Sequence, residues 1–179
     1  MGAHLEIRGR GPLSPDHWTV ITANHQSWAD ILLLQIHFET KLPPLKFVMK
    51  HRLIWVPFAG IVAKSLGYPF VKRETLKRIR KNQRKGQDNA SNLANACKQY
   101  KQPTTLVIFP EGSRLKHTHN ETNKAHIGSP HARGISQILN TWSTHQPDWC
   151  DVTIAYDHRT PSLWRWCCGD IPTIIVHYT

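Results

Sequence analysis

Apolar positions along the chain fall into short β-branched runs separated by segments with helical spacing. Trp18-Thr19-Val20-Ile21-Thr22 predicts a buried strand, and so does Thr104-Thr105-Leu106-Val107-Ile108-Phe109. Gly67-Tyr68-Pro69-Phe70-Val71-Lys72-Arg73 is a shorter third run, ending in two cations. Lys46–Met49, Val152–Tyr156 and Thr173–His177 read as further strands, and Leu5–Arg8 as an edge strand before the Gly9–Pro12 turn. Ile31, Leu32, Leu34 and Ile36 mark an apolar helix that His37 and Phe38 close before the Pro43-Pro44 break. Trp28 at its start reads as core or pocket wall. A helix from Asp88 carries Leu93, Ala94 and Cys97 on one face, and Pro130–Leu139 and Ser162–Cys168 are two more helical segments. Strands and helices alternate without internal repeats, which predicts an α/β fold, a layered sheet with flanking helices.

Leu53–Ala63 is the most apolar stretch, and Pro57 predicts two short helices or a kink there. Gly67 suits the C-cap that follows. Such a stretch can also wall an apolar pocket or dip into lipid. Wide apolar stripes are usually buried, so core is the expectation.

At 179 residues the chain is expected to form one domain, 1–179. Its net charge of +11 calls for an anionic partner: nucleic acid, a membrane surface or phosphorylated substrates. Much of that charge lies between Lys72 and Lys85, where eight cations face Glu74 alone. Anionic lipid would attract such a run by about 1 kcal/mol per basic residue near the surface. Nucleic acid would feel the same field, but no recognition motif or aromatic residue accompanies the run, so no nucleic-acid partner is expected. No apolar run approaches the roughly 20 residues of a transmembrane helix, and the start lacks a signal-peptide core. The four cysteines form no Cys-x-x-Cys pair, which makes a reduced compartment the default.

Asn24-His25-Gln26-Ser27-Trp28-Ala29-Asp30 sits where the first buried strand gives way to the first helix. Such turns are where α/β proteins place their chemistry. Within one helix, residues five apart diverge by about 140°. If the helix instead starts near Ser27, His25 can fold back over its first turn to meet Asp30. The carboxylate would then hold one ring nitrogen and leave the other as a base. Ser27-x-x-Asp30 is also a capping-box pattern. From this segment alone capping is the better reading, and the two roles are compatible.

The second buried strand empties into Pro110-Glu111-Gly112-Ser113-Arg114, which alone would be an ordinary turn. The polar stretch Leu115–Ile127 is expected to be a surface loop. His117 and His119 lie there without a carboxylate or cysteine at ligand spacing, so no metal site is expected.

Together these segments resemble the glycerolipid and lysophospholipid acyltransferases, typified by 1-acylglycerol-3-phosphate acyltransferase. Three motifs match in order: Asn24, His25 and Asp30; Gly67, Phe70 and Arg73; and Phe109 to Arg114. Gly128–Gly134 followed by Val152–Tyr156 looks loosely like a fourth block. The resemblance runs from about Trp18 to His177, and relatives often carry further chain at both ends, so a shortened form or fragment is expected.

The resemblance implies a glycerolipid acyltransferase-like fold with its active site at strand ends. It implies transfer of a fatty acyl group from acyl-CoA or acyl carrier protein to the hydroxyl of a lysophospholipid, lysophosphatidate first. His25 would be the base, and Asp30 would fix its tautomer and stabilise the imidazolium. The acceptor would attack directly, without an acyl-enzyme, a cofactor or magnesium. Arg73 and Arg114 would hold the glycerol phosphate, with Lys72 ranking behind them. Glu111 would orient an arginine or the acceptor hydroxyl, Gly112 would allow close backbone approach, and Ser113 would donate a hydrogen bond. Attachment to the cytoplasmic face of a membrane is the matching location. The rivals are a non-catalytic domain binding anionic lipid or nucleic acid, and an acyltransferase for a different lysolipid.

Overall fold

The computed structural model describes residues 5–9, 11, 13–56, 59–71, 83–111, 132–157, 162–169 and 173–179. In chain order the strands are β1 (Leu5–Gly9), β2 (Thr19–Ala23), β3 (Leu45–Phe47), β4 (Met49–Lys50), β5 (Phe70–Val71), β6 (Thr105–Ile108), β7 (Asp148–Tyr156) and β8 (Ile174–Tyr178). The α-helices are α1 (Ala29–Phe38), α2 (Ala59–Ser65), α3 (Gln83–Lys98), α4 (Ala132–Thr141) and α5 (Leu163–Cys167). Single 3-10 turns cover His51–Trp55 and Ser143–His145.

Six strands form one sheet in the order β1-β8-β7-β2-β6-β3. Every adjacent pair is parallel except β7 with β8. The central strands β2 and β6 are buried along their whole length, as their unbroken apolar runs require when both sheet faces are covered. On one face α1 sets Leu33, Leu34 and Phe38 against Ile21, Val107 and Ile154. On the other, Leu93 and Cys97 of α3 and Ile138 of α4 meet Val20, Leu106 and Trp142. This is the expected α/β layering, with β1 at the edge. Burial raises the Cys97 thiol to about 12 and the Cys150 thiol to about 11, and all four cysteines are free.

Three local expectations need correction. Lys46–Met49 is not one strand: the chain leaves the main sheet at Val48, and β4 pairs with β5 in a separate two-stranded sheet. The third apolar run therefore ends outside the main sheet. β7 is nine residues long rather than five, because its alternating exposed and buried residues suit a strand with one open face. Finally, the described residues of Leu53–Ala63 are not a buried stripe: Ala63 is buried, but most of the large apolar side chains are not. Trp55 is 81% exposed and Ile61 68%, with Val56 and Val62 exposed beside them. The two short helices expected on either side of Pro57 are present as the 3-10 turn and α2, and Gly67 caps α2 at a φ of +69°.

Candidate active site

β2 and β6 are parallel neighbours, so the segments that follow them emerge side by side at the carboxyl end of the sheet. His25 follows β2, and Phe109 to Glu111 follow β6. The helix starts late enough to leave His25 outside it, with Trp28 at the N-cap. His25 folds back, and its Nδ1 lies 3.0 Å from Asp30 Oδ2. Asp30 is fully buried and the His25 side chain only 14% exposed. Phe109 stacks on the imidazole at 4.1 Å between centroids and 19° between planes, which limits its tilt. Nδ1 is thereby committed to Asp30, while Nε2 has no protein partner among the described residues.

Asp30 also caps. Its Oδ2 accepts from the backbone N–H of Gln26 at 2.7 Å and of Ser27 at 2.8 Å, near the positive end of α1. The two readings of Ser27-x-x-Asp30 coexist in one carboxylate, because its lone pairs exceed what one partner can use.

The second carboxylate oxygen has a partner that local sequence could not reveal. β7 continues past the last residue of β2 paired with it, Ala23 with Val152, and so runs beside the His25 turn. From there Tyr156 donates its hydroxyl to Asp30 Oδ1. Burial first, then the Asp30 charge and this hydrogen bond, push the phenol well above its ordinary value, so it remains a donor. Asn24 holds the turn to the same strand. Its Nδ2 donates to Ile154 O at 2.8 Å, and its Oδ1 accepts from Ile154 N at 2.7 Å. Gln26 Nε2 donates to the same carbonyl at 2.7 Å. The length and apolar alternation of β7 were the only signals that could have brought it this far.

Tyr156→Phe tests the support of Asp30. It leaves a buried carboxylate oxygen short of a donor, which should cost about 1–3 kcal/mol of stability. Loss of its hold on the carboxyl plane should lower turnover roughly tenfold, read from thermal melting and steady-state rates together.

The remaining predicted site residues divide by position. Glu111 is buried just beyond Phe109, on the strand end next to His25. Arg73, Gly112, Ser113 and Arg114 lie outside the described residues, as do Lys72, His117 and His119. Among the described residues, no three His, Cys, Asp or Glu side chains gather as a metal site. A cavity lined by Leu13, Leu42, Cys150 and Tyr178 sits at the amino ends of β2 and β7, and contains none of the predicted site residues.

Comparisons with known proteins bear on the fold and the family. The acyltransferase family model matches residues 4–157. The 1-acyl-sn-glycerol-3-phosphate acyltransferase epsilon of Mus musculus is 23% identical over 202 aligned positions, covering 99% of this chain and 53% of that protein. The lyso-ornithine lipid O-acyltransferase of Pseudomonas aeruginosa is 30% identical over 152 positions, covering 85% of this chain and 47% of its own length. The chain therefore spans about half the length of these relatives. Among solved structures, the 1-acyl-sn-glycerophosphate (LPA) acyltransferase PlsC of Thermotoga maritima shares the fold, with a TM-score of 0.56 at 17% identity. That alignment covers 99% of this chain and 60% of PlsC. With the family model spanning well over half of its residues and the His25–Asp30 pair formed at the strand ends, this chain belongs to the acyltransferase family.

Proposed function

We propose that the chain, as one acyltransferase domain, moves a fatty acyl group from acyl-CoA or acyl carrier protein to the free hydroxyl of a lysophospholipid, with lysophosphatidate the first acceptor to try. The observation that carries this reading is His25 Nδ1 held by the buried Asp30, with Nε2 left for a substrate proton. In this account Nε2 removes the proton from the acceptor hydroxyl as its oxygen attacks the thioester carbonyl. Asp30 stabilises the imidazolium that forms and keeps the ring in the Nδ1–H tautomer. Collapse of the tetrahedral adduct expels the donor thiolate, which takes the proton back from Nε2. Atoms and charges balance without an acyl-enzyme, a metal or a cofactor. The relatives' names support a lysolipid acceptor.

Arg73 and Arg114 are assigned to the acceptor phosphate because a guanidinium fork matches phosphate oxygens. Glu111 is assigned to orienting an arginine or the acceptor hydroxyl, Gly112 to close backbone approach and Ser113 to a hydrogen bond. The basic run Lys72–Lys85 is assigned to an anionic membrane surface at the cytoplasmic face. Among the described residues no helix is long and apolar enough to cross a membrane. Screening shortens the reach of exposed charges to about 8 Å near physiological salt. Vesicle co-sedimentation should therefore fall with added salt, and with Lys77, Arg78, Arg80 and Lys81 changed to Gln.

The function is tested by incubating the protein with radiolabelled acyl-CoA and lysophosphatidate, then separating the lipids. Labelled phosphatidate supports the reading. Label appearing only as free fatty acid, or not at all with acyl-CoA and with labelled acyl carrier protein tried in parallel, would reject it.

A further inference from the structure

An apolar face stands out on the 3-10 turn and α2. Trp55 (81% exposed), Val56, Ile61 (68%), Val62 and Leu66 (47%) project from the 3-10 turn His51–Trp55, from α2 and from the residue directly after each. Large apolar side chains scattered singly on a surface are ordinary, but a cluster drawn from one short segment calls for a partner. The segment has a defined base. Ala63 of α2 is buried, and Tyr68 N donates to Ala63 O. Gly60 lets the helix close on the turn, since a Cβ there would lie 2.0 Å from the Ile54 carbonyl oxygen. The backbone is thus pinned inward while the apolar side chains point out.

Charge identifies the partner. From Thr40 to Arg73 the chain contains no aspartate or glutamate. His51, Arg52 and Lys64 are exposed on the same segment as the apolar side chains. Apolar side chains with tryptophan at the tip and cations around them suit the boundary between acyl chains and anionic headgroups. A protein partner of matching chemistry would need an acidic rim around an apolar socket, whereas a bilayer with anionic lipid supplies both at once.

We infer that the 3-10 turn and α2 form a docking hairpin that inserts Trp55 and Ile61 into the surface of an anionic bilayer. In the chain it is followed by β5 and then by the basic run, so apolar insertion and cationic attraction would act on one stretch of the molecule. The inference rests on acyl transfer to a membrane lipid only for its purpose, and the binding itself is separately measurable.

The test compares the wild-type chain, the double variant Trp55→Gln/Ile61→Gln and the control Trp164→Gln, a comparably exposed tryptophan on α5. Partitioning onto phosphatidylcholine vesicles containing phosphatidylglycerol is measured beside turnover of a short-chain lysophosphatidate that stays monomeric in solution. The double variant should bind vesicles at least tenfold more weakly, while its melting temperature and soluble-substrate turnover stay near wild type. The control should bind as wild type does. Unchanged vesicle binding by the double variant would overturn the hairpin, and so would an equal loss of soluble-substrate turnover. Wild-type chain that self-associates through these residues and ignores vesicles would assign the face to a second copy instead. Vesicle binding without acyl transfer would reject the proposed function and leave the docking hairpin standing.

Discussion

His25→Ala is expected to remove at least roughly 10²–10⁴-fold of turnover while the domain stays folded. The expectation has two parts. Nε2 is the group assigned to take the acceptor proton, and alanine leaves nothing in its place. The stability cost should be small, because His25 packs mainly against Phe109 and follows the sheet rather than filling its core. A stacked aromatic pair contributes about 0.5–1.5 kcal/mol. Steady-state rates and thermal melting on one preparation check both parts. A His25→Ala protein that keeps near-normal turnover would move the base elsewhere.

Asp30→Asn should lower turnover by roughly 10³–10⁴-fold, as replacing the orienting carboxylate does in other catalytic pairs. Here the geometry separates chemistry from capping. An asparagine carbonyl oxygen can still accept from the Gln26 and Ser27 amides, and its NH₂ can then donate to the Tyr156 hydroxyl. Much of the cap therefore survives. What is lost is the negative charge beside Nδ1, 3.0 Å away, which no amide can supply. Complete burial of Asp30 also raises the structural cost above that of an exposed cap, to about 1–3 kcal/mol. Melting and rate should thus part company: a modest fall in stability beside a large fall in turnover. If turnover per folded molecule survives, capping is all this aspartate does.

The parts of the fold legible in sequence were those set by local pattern. β2 and β6 were readable because a strand buried on both faces must be apolar throughout. The late start of α1 was implied by Ser27 and Asp30, and it was this that let His25 turn back. Strand order was not legible, since no local pattern states that β2 pairs with β6 rather than with β3. Tyr156 stayed hidden for the same reason: it meets Asp30 across 126 residues of chain. The misreading of Leu53–Ala63 has a different cause. Apolarity says that side chains avoid water without saying what replaces it, and here Trp55 and Ile61 face outward.

The central claim is direct acyl transfer to a lysolipid hydroxyl, and one measurement tests it most directly. Thiol release from acyl-CoA, and from acyl carrier protein in a parallel series, is followed with and without lysophosphatidate while the lipid ester formed is counted. The account predicts thiol and ester appearing one for one, only when the acceptor is present, and both lost in Asp30→Asn. Thiol released without the acceptor, or in excess of ester, would mean hydrolysis or an acyl-enzyme and would contradict it.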